Sequence, residues 1–83
     1  MSPNRDTYAV AIGAAVRAEM SRKGKSVASL AGVLSLSKTS VYSRTQGREP
    51  FDYVELQKIA DHLEIPLMQL VESAELSARQ AVA

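Results

Sequence analysis

Helix-stopping residues fall at four points in this chain and leave room between them only for short helices. Gly24, the Ser35-Leu36-Ser37 triplet, the Gly47–Pro50 stretch and Pro66 divide the 83 residues into five segments. Apolar residues recur at helical spacing. Tyr8, Ile12, Val16 and Met20 lie four apart, and Leu30, Ala31 and Leu34 form a second stripe. Tyr53, Leu56, Ile59, Ala60 and Leu63 form another, which Leu67, Leu70, Val71, Ala74 and Ala78 continue. No run alternates with the period of two that a half-buried strand requires. The expected class is all-α, with five helices around one core. A chain of this length folds as one domain with modest burial.

The first helix is predicted over Thr7 to Arg22, after a flexible arm at residues 1–6 that contains Pro3, and Gly24 stops it. Ser26 is the expected cap of a second helix, Val27 to Leu34. Ser37 is the expected cap of a third, Lys38 to Gln46, ended by Gly47. Asp52 followed by Glu55 reads as a capping box for the fourth. Pro66 suits the first position of a fifth. These limits give a domain over residues 7–73. Residues 74–83 form a helical extension or tail, whose Ala74, Ala78, Ala81 and Val82 are expected to pair two chains.

Composition narrows the function. With no cysteine and one histidine, His62, the chain offers no zinc site, and no Ser–His–Asp set or phosphate loop is visible. No catalytic residue, metal, cofactor or small-molecule ligand is therefore expected, and His62 reads as a surface residue. No apolar run reaches the roughly 18 residues of a membrane span, and no signal peptide is evident, which suggests a cytoplasmic protein. The net charge of +1 hides an asymmetry: residues 1–48 hold eight bases and two acids, residues 49–83 two bases and seven acids. One half is suited to a polyanion.

The third segment is short and polar between apolar neighbours: Lys38, Thr39, Ser40, Tyr42, Ser43, Arg44, Thr45 and Gln46 surround a lone Val41. Two short helices joined by a tight turn, the second one polar, is the arrangement that reads DNA in the major groove, where each base pair shows a distinct set of donors and acceptors. From Ile12 to Leu70 the chain resembles the lambda-repressor-like family of phage repressors, Cro proteins and bacterial regulators. The resemblance rests on Lys23-Gly24-Lys25-Ser26, Leu30-Ala31, Leu36-Ser37-Lys38-Thr39-Ser40-Val41, Gln46-Gly47 and the block from Lys58 to Leu67.

That resemblance implies a five-helix domain with its helix-turn-helix at helices 2 and 3. It binds double-stranded operator DNA as a homodimer and regulates transcription, as a repressor, in the bacterial cytoplasm or nucleoid. Lys38, Thr39 and Ser43 match base-reading positions, and Tyr42 flanks them. Ser37 and Gln46 match phosphate positions, with Ser40 and Arg48 close by. Lys25, Ser26 and Val27 stand at the second helix's N-terminus, where free N–H groups favour an anion. Val41 is expected in the core.

Six positions depart from the family pattern. Val27 replaces a phosphate-holding Gln, and Ser35 replaces the Gly of the turn. Glu19 and Arg44 replace apolar residues, while Met20 and Thr45 replace a charged pair. The last two changes predict that Met20 enters the core near Thr45 and that Glu19 pairs with Arg44; the competing reading sends Arg44 to a phosphate and leaves Glu19 in solvent. The acidic second half and Val27 leave an alternative, a protein-interaction module such as an antitoxin or anti-repressor that uses the same fold.

Overall fold

A computed structural model describes residues 5–82, and side chains over residues 7–80. Among these residues there are five α-helices and no strand: α1 (Arg5–Arg22), α2 (Leu30–Leu34), α3 (Lys38–Thr45), α4 (Tyr53–Leu63) and α5 (Leu67–Val82). A 3₁₀ turn, Val27–Ser29, leads into α2. The first helix begins at Arg5, so Arg5 and Asp6 belong to α1 rather than to an arm. Residues 1–4 of the expected arm lie outside the described residues.

The first four helices end alike. A left-handed residue turns the chain, and the next N–H reaches back five residues to a carbonyl in the last turn of the helix. The turning residues are Gly24, Ser35, Gly47 and Glu64. The closing bonds are Lys25 to Met20, Leu36 to Ala31, Arg48 to Ser43 and Ile65 to Ala60, each 2.9–3.0 Å. Glycine takes this backbone freely; Ser35 holds it at φ 55°, ψ 43° with a Cβ in the way. Ser35→Gly should therefore raise stability by up to ~1 kcal/mol, the left-handed penalty less the added freedom of the unfolded chain. A urea midpoint that stays put or falls would contradict this.

Two starts differ from expectation. Ser26 makes no side-chain cap; its carbonyl accepts instead from the Ser29 N–H and hydroxyl, and this draws Val27–Ser29 into the tighter 3₁₀ form. Pro66 lies just before α5 and accepts from the Gln69 N–H through its carbonyl. The Asp52–Glu55 capping box forms as expected.

The main core joins Val16, Met20, Leu30, Leu34, Val41, Phe51, Leu56, Ile59, Leu63 and Leu70, with Ile12, Ala31 and Ile65 half-buried against it. Tyr53, placed in that stripe from spacing, points out and is 71% exposed. His62 is half-buried rather than on the surface, and its Nε2 is enclosed without a hydrogen-bond partner.

A second cluster corrects the reading of the C-terminal segment. Ala74 and Ala78 are buried against Ala11 and Ala15 of α1. Helix α5 runs unbroken through residue 73 and packs along α1. Ala74 and Ala78 are thus covered within one chain and are not open to a second. The side chains of Ala81 and Val82 lie outside those described.

Candidate nucleic-acid interface

Helix α3 is fixed at both ends and from behind. At its N-terminus Ser37 Oγ accepts the Ser40 N–H at 3.1 Å, the cap expected from the sequence. Its own proton goes to Ser40 Oγ, also at 3.1 Å. The inward face is Val41 and Thr45, both fully buried, and the Thr45 hydroxyl donates to the Tyr42 carbonyl.

The backing comes from α2 and its 3₁₀ turn and also from α1, the latter through residues that the sequence did not single out. A Cβ on Gly13 would press on the Thr45 carbonyl, 2.9 Å from its carbon and 3.0 Å from the Arg44 oxygen. A Cβ on Gly47 would lie 2.7 Å from Val10 Cα. One turn beyond Gly13, Arg17 Nη1 donates to the Thr45 carbonyl at 2.5 Å, a positive charge on the negative end of α3. The signal for Gly13 was present: a lone glycine in an alanine-rich helix gives up about 1 kcal/mol of helix propensity and so implies a close approach.

With Val41 and Thr45 inward, the outward face of α3 carries Lys38, Thr39 and Tyr42, all exposed, and Ser43, half-buried. These are the four candidate base readers. The candidate phosphate residues Lys25, Ser26, Ser37, Gln46 and Arg48 are exposed, and Ser40 is half-buried. Val27 differs from them, because its side chain packs on the core, which leaves only backbone to meet a ligand.

The expected Glu19–Arg44 pair does not form. Glu19 is 1% exposed, and its carboxylate accepts from Arg22 Nη1 at 2.5 Å and from Gln69 Nε2 of α5 at 3.0 Å. Burial of a carboxylate is tolerable when charge and hydrogen bonds compensate it. Arg44 instead meets Glu49 and Glu55 at 3.0 and 3.3 Å. Met20 is in the core, as expected, and Thr45 is buried.

The structure superposes on the crystal structure of the clp gene regulator ClgR from Corynebacterium glutamicum with a TM-score of 0.84. The match covers 99% of this chain and 84% of that one, at 21% sequence identity. The chain has an all-α helix-turn-helix fold. No family model matches it, and no curated protein sequence does. Among the described residues, no helix is long and apolar enough to cross a membrane, and no cluster of three or more His, Cys, Asp or Glu could hold a metal.

The α2–turn–α3 unit thus presents one short polar helix on a rigid support. An ammonium, two hydroxyls and a phenol project from it, and all of these groups can hydrogen-bond base edges or phosphates.

Proposed function

We propose that this chain binds double-stranded DNA with sequence preference, inserts α3 in the major groove and acts as a transcriptional regulator, a repressor, rather than as an enzyme. The observation that carries this reading is the outward face of α3. Lys38, Thr39 and Tyr42 are exposed on a helix whose other side is locked by Val41 and Thr45. A helix that reads bases needs this combination, because a loose support would let the same side chains reach several registers. The basic first half of the chain supports it, with Lys25 and Arg48 exposed for the DNA backbone and Lys38 exposed on the reading face.

Binding as a homodimer is part of the proposal, with two reading helices about 34–36 Å apart. Since Ala74 and Ala78 are covered by α1, pairing would use the outer face of α5, where Met68 and Leu76 are exposed.

Fluorescence anisotropy with duplex DNA over a range of salt tests the reading. Two basic phosphate contacts per chain, Lys25 and Arg48, should give a slope of log affinity against log salt of about −1.8 for each chain bound, at roughly −0.9 per phosphate neutralised. Absence of binding even at low salt would overturn the proposal. It would favour the protein-interaction alternative, to which the half-buried Val27, in place of a phosphate-holding side chain, lends support.

A further inference from the structure

Arg44 is a cation on α3 that none of the proposed DNA contacts uses. Its Nη1 donates to Glu49 Oε2 at 3.0 Å and to the Ser40 carbonyl at 3.3 Å, and its Nε donates to Glu55 Oε1 at 3.3 Å. The bond to Ser40, one turn back, lays the guanidinium along α3 toward the Ser37–Ser40 end, where two of the candidate phosphate residues, Ser37 and Ser40, stand.

The two carboxylates are held differently. The Glu55 side chain is 15% exposed, and its Oε1 also accepts the Asp52 N–H at 2.9 Å in the capping box of α4. Glu49 lies in the loop after α3 with its side chain 56% exposed, so it is the outward member of the cluster. One guanidinium faces two carboxylates, which leaves a surplus negative charge beside a helix proposed to approach a polyanion.

We infer that Glu49 occupies the phosphate-binding edge of Arg44 in the free protein, and that a DNA phosphate displaces it on binding and makes Arg44 a further phosphate contact. The inference rests on the reading of α3 as a DNA-binding helix. A carboxylate and a phosphate offer an arginine the same paired oxygens. The Arg44 side chain is 19% exposed and that of Glu49 56%, so the pair opens to solvent on the Glu49 side, where salt screens it and the strong field of DNA can compete for the Nη edge. Glu55, tied to the α4 cap, keeps Nε while the Nη edge changes partner. Phosphate contacts carry no sequence information, so Glu49 acts as a brake on binding to every sequence alike.

The variant Glu49→Gln keeps the shape and removes the charge. In the wild type the released Glu49 carboxylate takes up a cation as the phosphate gives one up, and the salt slope does not register Arg44. In Glu49→Gln it does, so the slope on random duplex DNA should steepen by about 0.9. The affinity ratio of variant to wild type should then grow about eightfold for each tenfold fall in salt. In an Arg44→Gln background the gain should vanish. A gain of equal size there would show plain repulsion by Glu49 and overturn the inference, as would an unchanged slope. A second readout needs no variant: the Arg44 Nη–H resonances of the wild-type protein, on the edge that changes partner, should shift when DNA is added at low salt, and unshifted resonances overturn the inference. Wild-type protein that binds no DNA defeats the functional reading and the inference together, whereas binding with an unaltered Glu49→Gln slope defeats the inference alone.

Discussion

Replacing Gly13 with alanine is expected to destabilise the domain by about 2 kcal/mol, within the range for forcing a methyl group into a closed site. The sign of the change is the informative part. In an unpacked helix the same substitution stabilises by about 1 kcal/mol, because alanine gives up less backbone freedom than glycine. Here the new Cβ meets the carbonyls of Thr45 and Arg44, which are backbone and cannot rotate away. Helices α1 and α3 would have to separate, and the Arg17 bond to the Thr45 carbonyl would lengthen with them. Because α1 holds the C-terminal end of α3, DNA affinity should fall as well as the urea midpoint. A midpoint above that of the wild type would mean that the two helices do not approach so closely.

Lys38→Ala should separate stability from binding. Lys38 is the first residue of α3 and is exposed. A cation at a helix N-terminus opposes the macrodipole, at about 0.3–1 kcal/mol. Removing it should leave the urea midpoint unchanged or slightly higher. Binding to the preferred site should nevertheless weaken by about 1–3 kcal/mol, and discrimination at one base pair should relax. An equal loss on every sequence would make Lys38 a phosphate contact, and no loss at all would place α3 away from the groove.

What could be read from the sequence follows a physical division between local and tertiary signals. The Ser37 cap, the Asp52–Glu55 box and the stops at Gly24 and Gly47 are set by neighbours in the chain, and each was legible. The inward position of Val41 was legible from its isolation among polar residues. Periodicity shows that a residue faces inward but not what it faces. Ala74 and Ala78 were read as a surface for a second chain because nothing local marks Ala11 and Ala15 as their partners. Glu19 was rightly singled out as a charge at an apolar position, but Gln69, one of its partners, lies 50 residues away in α5. Arg44 had a nearer solution than Glu19, since the loop and α4 cap that follow α3 supply Glu49 and Glu55. Ser26 makes no side-chain cap because the Ser29 N–H, which its hydroxyl would accept, goes to its carbonyl instead, a local choice that spacing alone does not resolve.

Selection of bound sequences from a random duplex library tests the central claim most directly, because it asks at once whether the protein binds DNA and whether it reads bases. Successive rounds with the full chain should enrich a short motif, repeated with two-fold symmetry about one helical turn apart if two chains bind together. The Lys38→Ala variant should return the same motif with one position degenerate in each half. Recovery of a pool indistinguishable from the starting library, under conditions in which the protein is folded and salt is low, would contradict the account.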